Sequence, residues 1–326
     1  MEQEYKYNPK PEFEERMKQL LPDKEDYKKF SEIVHKSPEN FIRCNTLKIT
    51  PEELKKRLEK KWKIQQPFPS NPEIFIINSN LLPGELGKSD EHILGYYYVQ
   101  ELSSMLSIIA LNPQENQIIL DLCASPGSKT TQASSFMKNS GTIIANDKDL
   151  GRVSILASNL EKNGCSNTIL TRMDGINLCD RLKGKMKFDK ILVDAPCSGE
   201  GTLRSNPKTF LIWNIDVVRK LSSLQKRLLE SAIPLLSQDG ELVYSTCTHA
   251  PEEDEEVVNY VLEKFPELEL VKPELPVKSR EGITKWQDKK FQSQLKKSCR
   301  IYPHDNNTEG FFLAKFRFKE KSLGEK

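Results

Sequence analysis

The chain has 326 residues, 37% of them hydrophobic and 29% charged. That is enough for one large domain with a smaller one beside it, and enough apolar material for a core under a charged surface. The 49 basic and 47 acidic side chains leave a net charge of only +2, which excludes recognition by whole-molecule charge and requires any nucleic-acid surface to be a local patch. The opening MEQEYKYNPKPEFEERMKQLL is charged throughout, and no stretch of 18 consecutive apolar residues occurs. A soluble cytoplasmic chain without leader or membrane span is therefore expected, with a monomer as the simplest state. The seven cysteines are odd in number, widely spread and free of any Cys-x-x-Cys pair, and there are four histidines. This pattern argues against a disulfide framework and against a metal site.

Residues 1–90 are rich in Lys, Glu and Pro and are expected to form a small α+β domain. Thr50-Pro51-Glu52-Glu53 is a helix start, with a Thr cap, Pro at the first position and Glu three residues after the cap. Leu54, Leu58 and Trp62 follow at i, i+4 and i+8 with Lys and Arg around them, so the helix is amphipathic with a solvated basic face. Residues 72–78 (PEIFIIN) read as a strand between two loops. Residues 91–320 are expected to form the second domain. Tyr96, Tyr97 and Tyr98 there read as strand or core packing, with base stacking as the alternative.

From there strand and helix alternate. Strands are predicted at 115–123, 141–147, 167–174, 188–196 and 240–248. Helices are predicted from about Ser128 to Lys138, from Leu150 to a stop at Gly164, over 216–236 with a break near Pro234, and over 251–265 with Pro at the first turn. The alternating FFLAKFRF at the end suits an added antiparallel strand. The fold class is α/β: a Rossmann-like, mostly parallel sheet covered by helices on both faces.

Ligands of such sheets sit beyond the carboxyl ends of the strands. The loop Cys123-Ala124-Ser125-Pro126-Gly127-Ser128-Lys129 lies there. It lacks the glycine spacing of a phosphate-binding loop or a dinucleotide fingerprint. Asp147 ends the next strand, 20 residues after Gly127, where a carboxylate meets ribose hydroxyls. With Asp121, Asp174 and Asp194, four strands each bring a carboxylate to one edge. A cationic cofactor without phosphates suits such a pocket, and the sulfonium of S-adenosylmethionine is one.

Cys197 follows the fourth strand in DAPCSG, and Cys247 ends the fifth in YSTCT. Two thiols beside Asp194 match the needs of cytosine C5 methylation. A thiolate adds to carbon 6, a carboxyl group meets N3, and a further group assists release. Residue chemistry alone leaves open which thiol attacks. His249, next to this loop, reads as a loop cap, with tuning of the thiol as the alternative.

The segments DLCASPGSKT, DAPCSGEGTLR and YSTCTHAPEEDEE, in this order, resemble the NOL1/NOP2/Sun family of RNA 5-methylcytosine methyltransferases. IRCNTLK, YYYVQELSSM and RIYPHDNNTEGFFLAKF extend the resemblance over roughly residues 40–316. The resemblance implies Cys247 as nucleophile, Cys197 in product release and Asp194 at the base. It implies S-adenosylmethionine held by the loop from Cys123 to Lys129 with Asp147, Arg152, Asp174 and Asp194, and RNA contact through the N-terminal domain. Arg43 and Arg204 become candidates for RNA phosphate. The compact chain favours tRNA over rRNA as substrate. The competing readings are an rRNA enzyme, an exocyclic-amine methyltransferase, whose Pro-Pro-aromatic turn is missing here, and a non-catalytic RNA-binding factor.

Overall fold

A computed structural model describes residues 8–320; residues 1–7, the start of the expected N-terminal domain, and 321–326 lie outside the described residues. Five parallel strands, β1 (Ile118–Asp121), β2 (Thr142–Asp147), β3 (Thr168–Arg172), β4 (Phe188–Asp194) and β5 (Leu236–Thr246), form one side of a nine-stranded sheet. The other strands are β6 (Leu268–Val271), β7 (Arg280–Glu281), β8 (Cys299–Ile301) and β9 (Phe311–Phe318). The order is β7-β8-β9-β5-β4-β1-β2-β3, with β6 also on β9. β9 runs antiparallel to β5, pairing Phe312 with Thr246, as the alternating C-terminal segment predicts.

The parallel strands are apolar on both faces because successive side chains point to opposite sides. Leu120, Ile191, Val193, Leu242 and Tyr244 pack with Leu228 and Leu229 of the helix Ile215–Ala232 and with Val257, Val258 and Val261 of the helix Glu255–Lys264. Their neighbours Ile119, Ile143, Leu192 and Val243 pack on the other face with Leu106 and Ile108 of the helix Leu102–Leu111 and with Ala133 of the helix Ser128–Phe136. Each such side chain contributes roughly 1.5–3 kcal/mol by leaving water. Gly164 closes the helix Leu150–Asn163 with φ 72°, as predicted.

A second, antiparallel sheet orders Ile64–Gln65, Ile74–Ile77, Phe41–Cys44 and Tyr97–Val99. The helix Pro51–Leu58 covers it, with the Thr50–Glu53 capping box formed and Leu54, Leu58 and Trp62 buried. Two boundaries differ from expectation. Tyr97–Val99 pairs with Phe41–Cys44, so the small sheet continues past residue 90. The helices Pro11–Leu20 and Lys24–Ile33 do not join this sheet. Phe13, Met17 and Phe30 instead pack with Leu203, Phe210, Trp213 and Tyr302, and Arg16 meets Glu252 through two hydrogen bonds of 3.0 and 2.6 Å.

The helix expected over 251–265 begins at Glu255, with Pro251–Asp254 forming turns. Glu253 and Asp254 are buried acceptors rather than solvated acids of a first helical turn.

Arg43 and Arg204, expected at RNA phosphate, are interior residues. Arg43 leaves the small sheet to donate to the Ser128 carbonyl and to Thr131 Oγ1, both at 2.8 Å, and to Gln100, with its guanidinium over Tyr98. Burial pushes its pKa down to about 10. Arg204 donates to the carbonyls of Lys36, Ser37 and Thr308 and to Asn307. The fork of donors that suits phosphate suits these carbonyls equally. Arg43→Met removes the tie between the small sheet and the helix Ser128–Phe136 and leaves its acceptors unpaired. It is expected to cost roughly 3 kcal/mol and lower Tm by roughly 5–10 °C. The salt dependence of nucleic-acid binding should not change; a shallower salt slope in a binding titration would show that Arg43 reaches phosphate after all.

Candidate active site

The parallel register of β4 on β5 pairs Asp194 with Ser245. The two chains leave the sheet side by side, and Cys197 and Cys247 meet with their sulfurs 3.2 Å apart. Ser245 Oγ donates to Asp194 Oδ1 at 2.7 Å and accepts from Ser107 at 3.0 Å. Asp194 Oδ2 pairs with Lys129 Nζ at 2.8 Å, and Lys129 also donates to Ser104 at 2.9 Å. Burial opposes charge on Lys129, but the Asp194 carboxylate outweighs it and keeps the ammonium above its ordinary range.

A cleft of about 350 Å³ opens over this group, with Cys247, Asp194, Lys129, Ser104 and Phe311 on its wall. Cys197 stands behind Cys247. The hydrogen bond to Cys247 and burial together push its thiol well above the usual range. The loop carrying Cys197 is pinned from below: Glu253 accepts from Ser198 N at 3.0 Å and from Gln225 at 2.8 Å, while Gln225 also holds the Pro196 carbonyl. Burial raises the Glu253 carboxyl to about 7.

The Cys247 loop is fixed by backbone. Gly201 N donates to the Cys247 carbonyl at 2.9 Å, and Gly310 N donates to the Gly201 carbonyl at 2.8 Å. A Cβ on Gly201 would lie 2.3 Å from the Gly310 oxygen, so three segments meet with no room for a side chain. His249 is neither cap nor tuning group. Its ring stacks on Tyr302 with centroids 5.1 Å apart, and burial lowers its pKa to about 3. Tyr97 is buried in the small sheet, as strand packing predicts.

A second pocket adjoins on the β1–β2 side. Cys123, Asn146, Asp147, Lys148, Arg152, Asp174 and Gly175 form its polar wall, and Leu122, Pro196, Leu224 and Leu228 its apolar one. Ala124, Ser125, Pro126 and Gly127 make the turn behind Cys123, and Ser128 starts the helix. Arg152 donates to the Ser125 carbonyl at 2.8 Å and lies 3.4 Å from Asp147. Asp174 also caps a helix, accepting from Ile176 N and Asn177 N. Asp121, the fourth strand-end carboxylate, is buried under Thr130 rather than open to the edge, and burial lifts it to about 7.

Of the residues predicted from sequence, Cys123, Asp147, Arg152 and Asp174 thus share one pocket, and Cys247, Asp194 and Lys129 share the other. Lys129 moves from the predicted cofactor set to the thiol side, because its side chain turns toward Asp194. Sequence reasoning missed Ser245, Ser107, Asn146, Gln225 and Glu253. Ser245 was legible, one position from the paired strand end. Glu253 was hidden in an acidic run that reads as a helix start.

Residues 108–317 match the family described as 16S rRNA methyltransferase RsmB/F, and residues 10–102 match the N-terminal domain of 16S rRNA methyltransferase RsmF. The chain is 40% identical over 294 residues to a tRNA (cytosine(49)-C(5))-methyltransferase of Pyrococcus abyssi, covering 90% of this chain and 92% of that one. It is 36% identical to the ribosomal RNA small subunit methyltransferase F of Erwinia tasmaniensis, covering 94% of this chain but 63% of that longer one. The crystal structure of NSun6 from Pyrococcus horikoshii with SFG superposes with a TM-score of 0.80 at 26% identity, covering 96% of this chain and 99% of that one.

Placement of the thiols predicts their order of reaction. A small alkylating agent at neutral pH should modify Cys247, on the cleft wall, well before Cys197, which lies off that wall against the Cys247 sulfur. Peptide mass spectrometry over a time course reads this directly, and earlier labelling of Cys197 would contradict the geometry.

Proposed function

We infer the reaction from one premise: the chain belongs to the RsmB/F family and is an RNA (cytosine-5-)-methyltransferase. Beyond that premise we propose that Cys247 attacks the base, that S-adenosylmethionine is the methyl donor, and that the substrate is tRNA. The observation that carries the covalent route is the placement of Cys247 on the wall of the cleft it shares with Asp194 and Lys129, with Cys197 directly behind it.

The target cytosine must leave its stack to enter a cleft of this depth. Cys247 adds as thiolate to carbon 6, which makes carbon 5 electron-rich. Only a few per cent of an ordinary thiol is ionised at neutral pH, and the Lys129 ammonium lends positive charge to the cleft where the thiolate forms. Asp194 is held on one oxygen by Lys129 and on the other by Ser245. It meets the N3 edge of the ring without searching for a rotamer, accepting from N3 once addition of the thiolate lets that nitrogen take up a proton from water. After methylation the carbon 5 and N3 protons pass to water, Cys247 leaves carbon 6 as thiolate while the ring double bond re-forms, and the neutral Cys197 thiol 3.2 Å away donates to that leaving sulfur.

The lining of the second pocket suits the donor. Asp147 and Asp174 offer acceptors for hydroxyl groups and a negative field for a cation, while Pro196, Leu224 and Leu228 offer an apolar face for a purine ring. When bound there, S-adenosylmethionine supplies an electrophilic methyl on sulfonium. The structure with SFG, similar over nearly all of both chains, supports this assignment.

The tRNA proposal rests on extent. The tRNA-modifying relative matches this chain across 92% of its length, whereas the ribosomal relative is longer than the matched part. We place the reaction in the cytoplasm, and no described helix is long and apolar enough to cross a membrane.

Each Cys→Ala variant, mixed with RNA and S-adenosylmethionine and run on a denaturing gel, tests the division of labour. Cys247→Ala should form no protein–RNA adduct, and Cys197→Ala should accumulate one because release fails. The opposite pattern would reverse the roles. Bisulfite sequencing of tRNA and rRNA with and without the gene tests the substrate: loss of one 5-methylcytosine confined to tRNA is expected, and loss confined to rRNA would refute the proposal.

A further inference from the structure

The wall of the cleft carries one polar atom that the chemistry so far leaves unused. Glu309 is 3% exposed and lines the cleft with Cys247 and Asp194. Its Oε1 accepts from Ser205 N at 2.7 Å. Its Oε2 has no partner and is buried beneath the surface, and among the described residues Glu309 is the one residue lining this cleft with a side-chain atom in that condition. A buried carboxyl oxygen without a donor costs roughly 1–3 kcal/mol, so a position that keeps one is built to receive a donor from elsewhere.

Its position is tightly fixed. Glu309 precedes Gly310, which is tied through Gly201 to the Cys247 carbonyl by two backbone hydrogen bonds of 2.8 and 2.9 Å. Glu309 N donates to Glu101 Oε1 at 3.0 Å, and Glu101 Oε2 accepts from Ser103 N at 2.6 Å. The backbone at Glu309 is therefore registered against the Cys247 main chain through Gly310 and Gly201, and the Glu101 carboxylate holds it from the other side.

The charge around it narrows the ligand. Glu39, Glu101 and Glu309 line the cleft, and its one lining cation, Lys129, is paired with Asp194, so this acid-rich wall favours a neutral donor of the target nucleotide over phosphate. We propose that Glu309 holds the ribose 2′-hydroxyl of the cytidine being methylated and so makes this site selective for RNA over DNA. The proposal rests on the reading of the cleft as the seat of an unstacked cytidine. A hydroxyl both donates and accepts, and it is the group that distinguishes the two nucleic acids at one position. It bonds a carboxyl in either protonation state, and burial has raised this one to about 7.

The test crosses protein with substrate. Two otherwise identical RNA substrates carry cytidine or 2′-deoxycytidine at the target position, and initial rates of labelled methyl transfer give kcat/KM for wild type, Glu309→Ala and Glu309→Asp. Wild type should prefer the ribonucleotide by about 10- to 100-fold, the range of one hydrogen bond to a charged group. Glu309→Ala should lose about that factor on the ribonucleotide and almost nothing on the deoxynucleotide. Glu309→Asp, which keeps the charge but draws the oxygens back by one methylene, should show the same pattern and serves if the Ala variant does not fold. Equal losses on both substrates, or wild type indifferent to the 2′-hydroxyl, would overturn the assignment. Wild type inactive on every RNA tested would instead overturn the reading of the cleft itself.

Discussion

The parallel register between β4 and β5 is the constraint on which the site depends. Strand pairing sets Asp194 opposite Ser245, and each strand then runs only two or three residues further to its cysteine. A slip of one residue would turn alternate side chains to the other face. It would also separate the thiols, since one residue of strand spans about 3.3 Å. Burial of both sheet faces holds the register, because Leu192 and Val243 must meet one set of helices while Val193 and Tyr244 meet the other. The apolar core, remote from any substrate, thereby sets a sulfur–sulfur distance.

Around that register the charged groups are arranged in buried pairs. Asp194 takes Lys129, Arg300 takes Glu255 through two hydrogen bonds and lies near Asp254, and Arg16 takes Glu252. Buried pairs of this kind are weak sources of net stability but are costly to break from one side. Their value here is positional. Arg300 also donates to the His249 carbonyl at 3.0 Å, two residues from Cys247. Glu253, one residue before Asp254, holds the loop of Cys197. The acidic run after β5 is thus a set of anchors for both cysteine loops.

Much of this was legible in the sequence. Apolar runs of four to seven residues ending in Asp marked β1, β2 and β4. The three motifs with a thiol or loop at a strand end marked the site, and the Thr50 cap marked its helix. What was not legible had physical reasons. The helix Leu102–Leu111 is buried nearly all round, so it shows no amphipathic stripe. Arg43 and Arg204 carry the same donors whether they meet phosphate or main-chain carbonyls, and only long-range packing decides between the two. Glu253 looks like a dipole-complementing acid until the chain turns it inward. The helices Pro11–Leu20 and Lys24–Ile33 gave no sign of partners so distant in sequence.

Those partners have a consequence for how the molecule is made. Asp26 accepts from Arg280 at 2.7 Å and meets His304, 278 residues further along the chain. At roughly 5–20 residues per second of synthesis, that separation corresponds to about 15–60 s during which the first helices have emerged and their docking surface has not. The small sheet from Phe41 to Val99 draws its strands from adjacent sequence and can pair early. The thiol site cannot, since its cleft takes residues from Pro38 through Phe311. A ribosome stalled short of β9 would therefore carry a chain with its first sheet formed, its opening helices apolar and unaccompanied, and both cysteines outside the enclosure that later governs their reactivity.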